Sequence, residues 1–256
     1  MTRSCPRGSS VLEIDSCTAG YDGSTVLDGV SLSVDAGKTG CIVGPSGCGK
    51  TTLLTVAAGL KSPESGTVML DGEAVAAGDR RVGLIIQQYG LFPWFTAVEN
   101  VSLGLRIRGA DSRTCRKIAR GELDRVGLGD CADRYPFQLS GGQQQRVAIA
   151  RSLALAPRLL LMDEPFSALD AMSRESLQEI LLRLLRERTL SVLLVTHSIE
   201  EAVYLGSTVW LLSGKPGKVA AAWDNPLQGS PDYREEPAFF ALCTTIRQAM
   251  RLRGAL

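Results

Sequence analysis

Short apolar runs closed by turn residues alternate with stretches of helical periodicity along most of the chain. Such runs predict buried strands at residues 41–43, 81–86, 159–162, 191–196 and 208–212. Uninterrupted apolar strands with few charges are the mark of a parallel sheet covered on both faces. Between the third and fourth of them, Leu177, Ile180, Leu181, Leu184 and Leu185 recur at helical spacing. This predicts an amphipathic helix over 173–188 with Ser173 as its cap. Near the front, residues 67–70, Asp71-Gly72 and 73–75 predict a hairpin with a type I′ turn, an antiparallel piece beside the parallel sheet. Past Ile86 the chain grows rich in arginine (Arg106, Arg108, Arg113, Arg116, Arg120), and 95 to about 156 reads as a helical insertion. After Gly217 come Trp223, Pro226 and Pro231, then a predicted helix from Pro237 with Phe239, Leu242, Ile246 and Met250 on one side. A tail of about 40 residues is too small to fold alone, so it is expected to dock on the main body. No internal repeat or low-complexity block interrupts this α/β pattern.

Composition narrows the function classes. The 256 residues carry 28 basic and 27 acidic side chains, well interspersed, which removes the broad basic footprint of nonspecific nucleic-acid binding. The longest apolar stretches, 159–162 and 192–195, fall far short of the roughly 20 residues of a membrane-spanning helix. Residues 1–10 contain Arg3 and Arg7 with no apolar run behind them, and read as a flexible tail rather than a secretory signal. Seven scattered cysteines without a CxxC pair, and a single histidine, His197, leave few ligands for zinc or redox chemistry. A reducing, cytosolic setting and an oxygen-ligated Mg²⁺ fit better.

Gly44-Pro45-Ser46-Gly47-Cys48-Gly49-Lys50-Thr51 follows a predicted strand and opens a predicted helix that Gly59 can end. Glycines let successive backbone N–H groups curl round one phosphate, and the helix start adds partial positive charge. Lys50 is placed to reach the β and γ phosphates and Thr51 to hold Mg²⁺. A thiol at a helix start, Cys48, is expected to have a lowered pKa and to block ATP binding when alkylated. Further on, the apolar run 159–162 delivers two adjacent carboxylates, Asp163 and Glu164. Burying them needs a partner, and Mg²⁺ supplies one. Asp163 would orient its shell, directly or through water, while Glu164 would polarise the attacking water. Leu139-Ser140-Gly141-Gly142-Gln143 opens another helix with a serine cap, a second anion site. A Ser-Gly-Gly turn before a helix is ordinary in itself, but here it raises the question of whose phosphate it holds.

The 44–51 cradle, 139–143, Leu161 to Glu164, Ser167-Ala168-Leu169-Asp170 and Thr196-His197 stand in the order of the ATP-binding cassette ATPases, which the chain resembles from about 11 to 219. The resemblance implies a P-loop NTPase core with a mainly parallel sheet, an antiparallel β subdomain and a helical signature-motif subdomain. It implies ATP and Mg²⁺ as ligands, Thr52 among the phosphate-binding residues, and Ser140, Gly141, Gly142 and Gln143 closing on ATP held by Lys50 of a second copy. Tyr21 resembles the aromatic that stacks on adenine. Gln87 resembles the glutamine that senses Mg²⁺ and the γ phosphate; Gln88 is the alternative, and alignment with Leu91-Phe92-Pro93-Trp94 favours Gln87. Asp170 resembles the residue linking the two sites of the dimer, and His197 the histidine near the γ phosphate.

Leu91-Phe92-Pro93-Trp94, Asp163 to Asp170, Val195 to Ala202 and Lys215-Pro216-Gly217-Lys218-Val219 are similar to the nitrate, sulfonate and taurine importer ATPases. Ser198, where an aspartate is common, and Phe137, where a histidine is frequent, depart from that pattern without touching a proposed phosphate or magnesium ligand. The resemblance implies a homodimer or cassette pair, separate transmembrane permease subunits, and a periplasmic or lipid-anchored solute-binding protein. The chain itself would be peripheral at the cytoplasmic face of the inner membrane, an ATPase domain over 11–219 followed by a helical tail over 220–256. Phe92, Trp94 and Phe95 are the expected docking surface for the permease. The competing class is a soluble cassette ATPase or nucleotide-sensing module not coupled to transport.

Overall fold

The computed structural model describes residues 10–87, 89–188, 190–230 and 232–253. Residues 1–9 of the expected tail 1–10, Gln88 and Pro231 lie outside these residues, and Ser10 belongs to the first strand rather than to the tail. In chain order the elements are β1 (Ser10–Tyr21), β2 (Ser24–Asp35), β3 (Thr39–Val43), α1 (Lys50–Ala57), β4 (Ser65–Leu70), β5 (Glu73–Ala74) and β6 (Val82–Ile85). Then follow α2 (Ala97–Ile107), α3 (Ser112–Arg125), α4 (Gly141–Leu153), β7 (Leu159–Asp163) and α5 (Ala171–Glu187). The chain ends with β8 (Ser191–Thr196), α6 (Ile199–Leu205), β9 (Thr208–Ser213), β10 (Lys218–Asp224) and α7 (Pro237–Leu252). These fall into two compact units, one drawn from Met1–Asp79 and Thr189–Leu256, the other from Arg80–Arg188.

In the first unit β3 pairs in parallel with both β8 and β9, and β10 pairs antiparallel with β9. Every residue of β3 and β8 is buried, which is why both read as continuous apolar runs. The antiparallel sheet has the order β2-β1-β4-β5. Both of its two-residue turns carry Asp-Gly in the left-handed region, Asp22-Gly23 (φ 50 and 77) and Asp71-Gly72 (φ 50 and 79), the conformation a type I′ turn requires. The second hairpin is the one expected; the first, long and broken by register shifts between Ile14 and Gly20, is not legible as strand in the sequence. α1 lies against β1, β2 and β8, α6 against β3 and β8, and α7 against α6. Along α7 the buried residues are Phe239, Cys243, Ile246 and Met250, so Cys243 rather than the expected Leu242 completes the face. The expected all-helical tail begins as a strand, β10.

In the second unit β6 and β7 pair in parallel, with α4 against β6 and α2, α3 and α4 in mutual contact. α5 starts two residues earlier than expected, and its cap is Asp170, not Ser173: the Asp170 carboxylate accepts from the Ser173 N–H at 3.0 Å. Both residue types cap helices well, and the aspartate supplies the charge that the helix dipole favours at that end. Among the described residues no helix is long and apolar enough to cross a membrane.

Candidate nucleotide-binding site

In the first unit, β3 delivers the loop 44–51 to the start of α1. Gly47 and Gly49 take φ values of 77 and 100, which side chains other than glycine rarely adopt. Space makes the same demand. A Cβ at Gly44 would stand 2.2 Å from the Leu212 carbonyl oxygen, and one at Gly49 2.6 Å from Leu27 Cδ2. Lys50 is only 6% exposed, and its ammonium donates to the carbonyls of Gly44 (2.9 Å) and Pro45 (3.0 Å), across the mouth of the loop. Ser46, Gly47 and Thr51 are exposed and Thr52 is buried in the first turn of α1. A backbone curl closed by an ammonium group and fused to a helix start has the donor set for an anionic phosphate chain.

Strand register brings His197 to the same edge. Val43 pairs with Thr196, so Gly44 and His197 are the next residues of adjacent parallel strands. The hydroxyl of Thr196 donates to the buried Glu201 carboxylate (2.5 Å) and accepts from the Ser198 N–H (3.0 Å), while Ser198 caps α6 by accepting from Glu201 N–H. His197, exposed, is held between these two anchors. Tyr21 ends β1 half-exposed, with the Lys61 ammonium 4.2 Å from its ring centre.

The second unit holds the carboxylates. β6 and β7 are in register with Ile85 opposite Met162, so Gln87 and Glu164 each lie two residues past the last paired positions of adjacent parallel strands. Glu164 has φ 44, a left-handed conformation costly for a residue with a side chain, and its carbonyl accepts from both the N–H (3.2 Å) and the hydroxyl (3.0 Å) of Ser167. Ser140 caps α4, accepting from Gln143 N–H while the Gln143 side-chain oxygen accepts from Ser140 N–H, a capping box that fixes Gly141 and Gly142 at the helix start. A Cβ at Gly142 would touch Ser173 at 3.3 Å. The Ser173 backbone N–H holds the Asp170 carboxyl below the usual carboxylate range.

The structure therefore groups Tyr21, residues 44–52 and His197 in one unit, and Gln87, Ser140 to Gln143, Asp163, Glu164 and Asp170 in the other. It overturns one expectation. Cys48 is 1% exposed, and burial pushes its thiol up, outweighing Lys50, the loop N–H groups and Lys215, which pull it down. It also brings to the loop two residues of the 215–219 stretch, which the sequence marked only as similar to the importer ATPases and gave no place at the site. The Lys215 ammonium lies 3.6 Å from where a Gly47 Cβ would be, and a Cβ at Gly217 would stand 2.0 Å from the Cys48 carbonyl oxygen. Both come from the β9–β10 connection, whose approach to the loop no local pattern announces.

The ABC transporter family model matches residues 27–167. The taurine import ATP-binding protein TauB of Chromobacterium violaceum is 43% identical over 242 residues, covering 91% of this chain and 93% of its own. The nitrate import ATP-binding protein NrtD of a Synechocystis strain is 39% identical over 252 residues, covering 95% of each. Among solved structures, the dimeric post-hydrolysis ATP-binding cassette MJ0796, bound to ADP and Pi, aligns with a TM-score of 0.73 at 36% identity, covering 83% of this chain and 98% of that one. With its cradle, paired carboxylates and capped Ser-Gly-Gly helix start in place, this chain belongs to the ABC transporter family as an ATP-binding cassette.

Proposed function

We propose that the chain is the ATP-hydrolysing subunit of an importer for nitrate, sulfonate, taurine or a similar small solute. The observation that carries hydrolysis is Glu164, just past the end of β7 as Gln87 is just past the end of the adjacent β6, where a carboxylate can take a proton from an attacking water. Lys50, the 44–51 N–H groups and Thr52 bind the phosphates, Tyr21 stacks on the adenine, and His197 meets the γ phosphate. Thr51, Asp163 and Gln87 supply oxygen donors suited to Mg²⁺, which would neutralise phosphate charge when bound. Ser140 to Gln143 of one copy close on the ATP held by the other, and Asp170 links the two sites. Differential affinity for ATP between open and closed pairs then drives opening and closing.

The relatives' printed names support the importer reading, and with it permease subunits, a solute-binding protein and a peripheral place at the cytoplasmic face of the membrane. Trp94, 66% exposed beside the half-buried Phe92 and Phe95, offers the permease an aromatic surface. Reconstitution with the neighbouring permease in vesicles, supplied in turn with labelled taurine, sulfonate and nitrate, tests this. Uptake that requires ATP and vanishes in Lys50→Ala is expected. ATP binding without hydrolysis, with and without the permease, would replace the proposal with a nucleotide-sensing module.

A further inference from the structure

The connection that leaves Gln87 is held in a costly conformation. Tyr89 (φ 46) and Gly90 (φ 59) are both left-handed, and a residue with a side chain stays there only where its surroundings over-determine it. The determining group is Arg151, in the last turn of α4. Its Nη1 donates to the Gly90 carbonyl at 2.6 Å and its Nη2 to the Tyr89 carbonyl at 2.9 Å, so one planar fork locks two consecutive peptide units. Gly90 leaves room for this, since a Cβ there would already touch Arg151 Nη2 at 3.4 Å. The other end of α4 meets the same segment, with the Tyr89 hydroxyl 3.3 Å from where a Gly141 Cβ would be. Downstream, the fully buried Asn100 accepts from Phe92 N–H and donates to the carbonyls of Phe92, Phe95 and Thr96.

We infer that Arg151 is a positioning residue, which sets the reach of Gln87 by fastening the segment behind it to the helix that begins at Ser140. This rests on the proposed role of Gln87. Burial also lowers the Arg151 pKa, yet the guanidinium keeps its charge at any ordinary pH, so the clamp is not pH-gated.

Lysine retains the charge but, as a point donor, cannot reproduce the fork. Arg151→Lys is expected to bind ATP within about twofold of the parent while turning over about tenfold more slowly. In the double variant with Gln87→Ala, the Arg151→Lys substitution should cost nothing further, because both act through one group. Full additivity of the two losses, or parent-like turnover of Arg151→Lys, would overturn the inference. So would loss of folding in both Arg151→Lys and Arg151→Gln, read by thermal melting, since the residue would then be merely structural. If instead Gln87→Ala alone hydrolyses normally, the role of Gln87 fails, which is a separate result.

Discussion

Gly217→Ala should damage nucleotide binding from outside the phosphate-binding loop itself. The added methyl would stand 2.0 Å from the Cys48 carbonyl oxygen, 1.0 Å inside the 3.0 Å below which such contacts are essentially never seen. Residue 217 cannot retreat freely, because its N–H donates to Val26 (2.8 Å) and its carbonyl accepts from Asp28 N–H (3.0 Å). Moving it would break two hydrogen bonds of about 1 kcal/mol each, and keeping it overpacks two backbones at about 1–3 kcal/mol. Either route costs about 1–3 kcal/mol, which for a chain of this size lowers Tm by about 2–12 °C. If half of that strain is relieved by shifting Cys48 and its neighbours, the Kd for ATP rises about two- to tenfold. The assay pairs a thermal melt with a fluorescent-nucleotide titration, and Gly121→Ala is the control. Gly121 lies inside α3 with nothing within 4 Å of its would-be Cβ, so there alanine should leave binding unchanged and stabilise by about 0.5–1 kcal/mol. Parent-like Tm and Kd in Gly217→Ala would refute the reasoning.

Glu164→Gln should keep ATP affinity and slow turnover at least about 100-fold, trapping a doubled mass in ATP by light scattering; normal hydrolysis would remove Glu164 from its role. Cys48, buried with its pKa pushed up by that burial, has its reactive thiolate suppressed near neutral pH. Iodoacetamide near neutral pH should leave it unmodified by peptide mass spectrometry, and fast labelling there would contradict the burial. Thr196→Val removes the hydroxyl that bridges the Glu201 carboxylate and Ser198 N–H on either side of His197, costing about 1–3 kcal/mol of stability. Steady-state kinetics should show kcat falling more than KM rises, and an unchanged kcat would detach this bridge from His197.

The sheet strands were legible because burial on both faces leaves only apolar residues in 159–162 and 192–195. The β1–β2 hairpin was not, although Tyr21-Asp22-Gly23-Ser24 carries the same turn signal as Asp71-Gly72. Its strands are half polar, and bulges between Ile14 and Gly20 break the two-residue alternation. The cap of α5 was misplaced because the leucine periodicity starts only at Leu177, leaving Asp170 and Ser173 equivalent to a local reading. At the site, residues whose chemistry demands a fixed spacing, such as Gly44 to Thr51, announced themselves. The contacts of Lys215, Gly217 and Arg151 did not, even though 215–219 stood out by resemblance, since each acts on a segment dozens or more residues away and the contact exists only when the chain is folded. Cys48 failed for the related reason that its helix-start position is local whereas its burial is not.

The central claim, that each ATP is enclosed by the 44–51 cradle of one copy and the Ser140 turn of another, is tested most directly by mixing two defective chains. Lys50→Ala and Ser140→Arg are each expected to be inactive alone under conditions where the parent hydrolyses ATP. Mixed in equal amounts, half of the pairs combine an intact cradle from one chain with an intact Ser140 turn from the other, so activity should return to about a quarter of the parent's on simple binomial pairing with independent sites. A mixture no more active than its separate components, or a fully active Ser140→Arg chain on its own, would contradict the shared site.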